Sequence, residues 1–124
     1  MLLPRSGVSL MNEKMIDPQQ AVDYIIEHSK DYAIAESNKV FMEEMRKTIK
    51  AECMIDAELR GHKTAAMQER EAYANPRYIE HLQAIKEAVR RREELRWMLI
   101  AAQARVEVWR SQEASNRHVE RATL

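Results

Sequence analysis

The stretch Leu95-Arg96-Trp97-Met98-Leu99-Ile100-Ala101-Ala102-Gln103-Ala104-Arg105-Val106-Glu107-Val108-Trp109 decides the fold. It contains neither Gly nor Pro, and its apolar residues fall into two sets. Leu95, Leu99, Ala102, Val106 and Trp109 are spaced 4,3,4,3, while Trp97, Ala101, Ala104 and Val108 are spaced 4,3,4. Such spacing returns to one side of a helix of 3.6 residues per turn, whereas a half-buried strand would alternate every second residue. The stretch therefore reads as a helix that is apolar on two sides and polar mainly at Arg96, Gln103, Arg105 and Glu107. The small Ala101, Ala102 and Ala104 permit close approach of another helix.

Working outward, Ile85, Ala88 and Arg92 extend the first set backwards into a seam spaced 3,4,3,4,3,4,3 from Ile85 to Trp109. Nothing interrupts the pattern between Pro76 and about His118, which predicts a helix of roughly 43 residues, about 65 Å long at 1.5 Å per residue. Asn75-Pro76 is its start signal, an N-cap followed by a proline whose missing N–H costs nothing in the first turn. Thr64 is placed to cap a short helix ending near Ala74. Gly61 stops the helix before that, where a left-handed residue is required. From Asp31 to Arg60, Ile34, Asn38, Phe41, Met45, Thr48, Glu52, Ile55 and Leu59 are spaced 4,3,4,3,4,3,4, a heptad seam with polar interruptions. Asp17-Pro18 opens a further helix with Ala21, Val22, Ile25 and Ile26 on one side, and Ser29-Lys30-Asp31 reads as a short break.

These elements predict an all-α fold: an N-terminal helix plus a long antiparallel helical hairpin, coiled-coil-like, turning near residues 61–76. Residues 1–16, with Pro4, Ser6, Gly7 and Ser9 and no helical period, read as a mobile tail; 17–118 form one helical domain, and 119–124 a frayed C-terminus. A single hairpin covers only one of the two apolar faces of the long helix. The expectation is a homo-oligomer with Leu95, Trp97, Leu99, Ala101, Ala104, Val108 and Trp109 at the oligomer interface; the other arrangement is a monomeric bundle of three or four helices.

Composition agrees with an all-helical chain. The 124 residues hold only 2 Gly and 3 Pro, against about 9 and about 6 at average usage, which leaves few turns for a sheet. One cysteine rules out a disulfide framework within the chain. No secretory or membrane segment is read, since Met1-Leu2-Leu3 runs straight into Pro4-Arg5; the expected setting is reducing cytoplasm.

Chemical motifs are sparse. Arg60-Gly61-His62-Lys63-Thr64 fails as a phosphate loop, because the lysine does not follow the glycine and a helix rather than a strand precedes it. His28, His62, His81 and His118 lack ligand-spaced partners, and Cys53 reads as a buried small hydrophobe. Glu43-Glu44 and Glu93-Glu94 fall on solvent-facing or ion-paired turns. No catalytic residue, metal ligand or cofactor is expected, and the chain reads as non-enzymatic.

Charge is more informative. The chain is neutral overall, yet residues 1–60 carry 8 basic and 11 acidic residues, and 61–124 carry 12 basic and 9 acidic. Arg46, Lys47 and Lys50 cluster before the turn, and Arg90, Arg91, Arg92 and Arg96 after it. A hairpin centred on 61–76 would set 46–50 opposite 86–92, joining the clusters, with Lys39 and Lys86 at the edge, into a candidate nucleic-acid surface that Lys63 extends at a helix start. The same residues also read as a solvated helix laced with pairs such as Glu87 to Arg91. Tyr73, Tyr78, Trp97 and Trp109 could stack bases if exposed, although both tryptophans are expected at a helix interface.

Several segments resemble small helical proteins of phage recombination gene clusters and, more distantly, UvsY-type recombination mediators: Lys63-Thr64-Ala65-Ala66-Met67-Gln68-Glu69-Arg70-Glu71-Ala72-Tyr73-Ala74, then Tyr78 after Pro76, Leu95-Arg96-Trp97 and Trp109-Arg110-Ser111. The resemblance spans about residues 31–118 and is one of helical layout. It implies an oligomer that binds single-stranded DNA and helps load a recombinase onto strands coated by single-strand-binding protein, in the host cytoplasm for a phage-encoded chain. Arg46, Lys47, Lys50, Lys63, Arg90, Arg91, Arg92 and Arg96 would then neutralise phosphates. The reading from a different class is a helical adaptor or inhibitor that binds protein and no nucleic acid, and a plain coiled-coil scaffold explains the heptads equally.

Overall fold

The computed structural model describes residues 17–123. Among them there are three helices and no strand: α1 (Pro18–Leu59), α2 (Ala65–Ala74) and α3 (Pro76–Thr123). The three helix starts and the end of α1 follow from the residues foreseen for them. Asp17 Oδ1 accepts from Gln19 N at 3.0 Å and Gln20 N at 3.2 Å, satisfying donors that the first turn of α1 leaves open. At the other end Gly61 has φ +106°. That conformation lets His62 N donate back to Ala57 O at 3.1 Å and Gly61 N to Glu58 O at 3.0 Å, the paired bonds of a Schellman cap. Thr64 Oγ1 accepts from Met67 N at 3.2 Å, and Asn75 Oδ1 from Arg77 N at 2.9 Å.

Two boundaries differ from expectation. The anticipated break at Ser29-Lys30-Asp31 does not occur; α1 runs through it. Ser29 Oγ donates to Ile26 O at 3.2 Å, so its hydroxyl is satisfied inside the helix, and no Gly or Pro forces an exit. There is accordingly no separate N-terminal helix before Asp31. α3 also continues past His118 to Thr123, with Arg121 in its last turn, where a cation suits the negative helix end. The predicted tail over 1–16 lies outside the described residues.

The chain divides into two compact units, one made of residues 31–95 and the other, in its described part, of 17–30 with 96–123. Within 31–95 the centre is Cys53, Ala72 and Tyr78, with Ile49 and Met54 packed against them. Ala57 and Ala72 are fully buried, so backbones approach closely there and the Tyr78 ring fills the remaining space. Glu36 meets Arg92, Met42 O meets His81 Nε2, and Glu52 meets Arg77, so residue numbers fall along α3 as they rise along α1. In the other unit Ala21 and Ala102 are buried, and Leu99, Val106 and Trp109 half-buried. The α3 seam from Ile85 to Trp109 is thus buried or half-buried throughout, as its spacing foretold.

The α1 seam is not where its heptads put it. Ile34, Phe41, Ile55 and Leu59 are 53%, 64%, 57% and 82% exposed. The residues turned inward are Ala35, Lys39, Met42, Ile49, Cys53 and Ala57. From Ala35 to Cys53 each lies one position beyond a predicted seam residue, a rotation of about 100° about the helix axis. Small side chains explain the choice. Cys53 and Ala72 let the helices close around Tyr78, and Ala35 and Ala57 are buried on the same side of α1, where Ile or Phe would hold the helices apart.

Candidate interaction surface

Turning the small residues inward leaves Ile34, Asn38, Phe41, Met45, Thr48, Glu52, Ile55 and Leu59 as one outward stripe on α1 within residues 31–95. Met45 and Glu52 are half-buried and the other six exposed. Three carboxylates near the stripe are held by cations of the same chain: Glu44 by Lys47 at 3.2 Å, Glu52 by Arg77, and Asp56 by Arg60 at 3.0 Å.

In the unit containing 96–123 a second apolar set is exposed. Trp97 is 59% exposed, Met98 and Val108 about half, and Ala101 and Ala104 are exposed. The two sets read from the sequence therefore separate by burial: Leu95, Leu99, Ala102, Val106 and Trp109 go inward, and Trp97, Ala101, Ala104 and Val108 outward. Of the expected interface residues, Leu95 is buried within the chain itself, and Leu99 and Trp109 half-buried. Trp97, expected at a helix interface, is exposed in the single chain, with the Arg96 guanidinium 5.2 Å from its ring centre.

The foreseen basic residues are dispersed. Residues 46–50 lie between the Met42–His81 and Glu52–Arg77 contacts and so face about 77–81, not 86–92. α2 is the reason. It folds back beside α1, with Lys50 on Glu69 at 3.1 Å and Ala72 against Cys53, so α3 begins opposite Glu52 rather than opposite the end of α1. Four of these eight cations, Lys47, Lys50, Arg90 and Arg92, also hold carboxylates. Arg90 pairs with Glu87 at 3.0 Å and Glu94 at 2.8 Å, and Arg92 with Glu36 and Glu93, each at 2.5 Å, beside the Tyr32 ring. Glu87 thus pairs with Arg90 rather than Arg91, three residues away instead of four. Arg46, Lys63 and Arg91 are exposed, with no carboxylate in ion-pair range among the described residues.

Lys50, Glu69 and Tyr73 form the densest polar cluster. Lys50 Nζ sits 4.7 Å from the Tyr73 ring centre, and Tyr73 Oη donates to Glu69 Oε1 at 3.2 Å. Hydrogen bonding to Tyr73 and to Glu69 raises the Lys50 pKa above the ordinary lysine range, against a smaller opposing effect of burial. The Lys50 hydrogen bond lowers Glu69 below the ordinary glutamate range. Both changes strengthen a surface tie between α1 and α2. Tyr73 packs edge-on against Tyr78, ring centres 5.5 Å apart, so it is a strut for the core as much as an exposed ring.

Among the described residues, no group of three or more His, Cys, Asp or Glu could hold a metal ion, and no helix is long and apolar enough to cross a membrane. Cys53 is 1% exposed, in keeping with its reading as a packed hydrophobe. Comparison with protein-family models, curated proteins and solved structures gives no match.

Proposed function

We propose that this chain is a non-enzymatic helical interaction protein, an adaptor or accessory subunit that presents apolar helix faces to other protein chains. The observation that carries the reading is the outward stripe from Ile34 to Leu59. Large apolar side chains at heptad spacing, with Ile34, Phe41, Ile55 and Leu59 each more than half exposed, offer another helix its natural seat. In this reading residues 31–95 form an antiparallel, coiled-coil-like hairpin, and Trp97, Ala101, Ala104 and Val108 are a second contact face used in homo-oligomer or partner assembly.

Charge supports it as well. Lys47, Lys50, Arg90 and Arg92 already hold carboxylates, so a phosphate backbone would have to displace partners from each. The chain's zero net charge supplies no long-range attraction to offset that cost. The recombination-accessory reading, with single-stranded DNA bound through a basic face, keeps one specific support in Arg46, Lys63 and Arg91, which are exposed and without a carboxylate partner among the described residues.

Fluorescence anisotropy of a labelled single-stranded oligonucleotide, titrated with the chain at low and moderate salt, separates the two. The interaction reading expects no change in anisotropy even at low salt. Salt-sensitive binding that disappears in an Arg46→Glu, Lys63→Glu, Arg91→Glu variant would overturn it in favour of the DNA reading.

A further inference from the structure

We propose, building on the interaction reading above, that the stripe from Ile34 to Leu59 is the seat of a second copy of this chain, which pairs through the same stripe, in parallel and in register. Three observations on residues 31–95 carry this.

The first is the spacing. Over 34–59 the stripe repeats 4,3,4,3,4,3,4, a period that only another helix of the same repeat matches along its length. The second is charge. Glu44, Glu52 and Asp56 flank or lie within the stripe, and each is already held by Lys47, Arg77 or Arg60 of its own chain. A strongly basic or acidic partner finds no excess of unmet charge of one sign there, since the exposed Arg46 and Glu58 beside the stripe are opposite in charge. An identical face, with its charges internally paired, can approach without repulsion.

The third is the order of the layers. In a parallel, in-register pair every layer meets itself, so Ile34, Phe41, Met45, Ile55 and Leu59 make five apolar layers. Asn38 and Thr48 meet their own copies, where amide and hydroxyl can each donate and accept. A single amide at such a position is a known device for fixing register and two-stranded assembly. An antiparallel pair centred on the stripe would set Asn38 on Ile55 and Phe41 on Glu52, burying polar groups against apolar ones. The remaining polar layer, Glu52, carries its own Arg77 into the pair.

Sedimentation velocity over a wide concentration range tests the proposal on the full chain. The wild type should dimerise, and Phe41→Glu or Leu59→Lys should raise the dissociation constant roughly 30-fold or more, since each puts a charge into an apolar layer of the stripe. Both side chains are exposed in the single chain, so far-UV circular dichroism of the variants should match wild type. Trp97→Glu and Val108→Glu, on the other face, should leave this dimer intact. A bismaleimide should join two Asn38→Cys chains, while the buried Cys53 of the wild type stays unlinked.

A wild type that stays monomeric overturns the proposal. So does a dimer that ignores Phe41→Glu but dissociates with Trp97→Glu, or one in which Asn38→Cys chains fail to link to each other but do link to an Ile55→Cys chain. None of these results restores DNA binding. A monomer that also leaves the oligonucleotide untouched removes this homodimer alone, whereas DNA binding by the chain removes the broader reading.

Discussion

Replacing Gly61 by alanine should lower stability through the backbone alone. Gly61 has φ +106°, and a Cβ added there meets no atom within 4 Å, so no side-chain clash contributes. What remains is the cost of placing an L-residue in left-handed territory, about 1–2 kcal/mol. If the alanine instead relaxes out of that region, the Schellman bonds from His62 N to Ala57 O and from Gly61 N to Glu58 O are lost, at a similar net cost of about 0.5–1.5 kcal/mol each. For a chain of this size, 1 kcal/mol corresponds to about 4 °C in Tm, so Gly61→Ala should melt about 4–8 °C below wild type. Gly61→Asn should fall between them, since asparagine tolerates positive φ better than alanine. Thermal melts followed by circular dichroism, with urea unfolding as a second measure, give the comparison. If Gly61→Ala melts with wild type, the left-handed cap does not terminate α1 and the account of the turn fails.

Two further predictions concern the packing around that turn. Tyr78→Ala removes the largest side chain of the Cys53–Ala72–Tyr78 cluster and should cost about 3–5 kcal/mol in urea unfolding, the range for deleting a buried ring; a loss below 1 kcal/mol would mean the cluster is not the centre of the unit. Glu69 has its pKa lowered by Lys50, so it binds fewer protons folded than unfolded at mildly acidic pH. Its contribution is present above the ordinary glutamate range and fades as pH falls through it and below. Lys50→Met should therefore flatten the acid side of the stability profile, and an unchanged slope would show that the Lys50–Glu69 pair does not tie α2 to α1.

Helix ends were legible because they rest on local chemistry: Asp17-Pro18, Gly61, Thr64 and Asn75-Pro76 act within a few residues of themselves. The α3 seam was legible for a related reason, since its large residues also face inward from Ile85 to Trp109. On α1 the two criteria part. Hydrophobicity favours the side with Ile34, Phe41, Ile55 and Leu59, while close packing favours the side with Ala35, Cys53 and Ala57, and closeness won. Counting apolar residues cannot see that, because the advantage of an alanine depends on Ala72 and Tyr78 arriving from elsewhere in the chain. Cys53 carried a local hint, lying between two members of the expected seam yet reading as buried.

The dispersal of the basic residues was hidden for a comparable reason. Placing 46–50 against 86–92 assumed a hairpin centred on the connection. Nothing local to α2 says that its Glu69 and Ala72 fold back on Lys50 and Cys53. That fold-back moves the start of α3 to a position opposite Glu52 and keeps Arg92 with Glu36, far along α1 from Arg46.

Both the core and the outward stripe depend on which side of α1 faces inward, and the native Cys53 reports it without any substitution. Its reaction with a small thiol reagent under native conditions should be slower than in urea by about 100-fold or more, because the thiol is 1% exposed and must wait for the helices to open. A native Cys53 that reacts as fast as the unfolded chain would place that side of α1 in solvent. The stripe from Ile34 to Leu59 would then be the core, and it could not seat a partner.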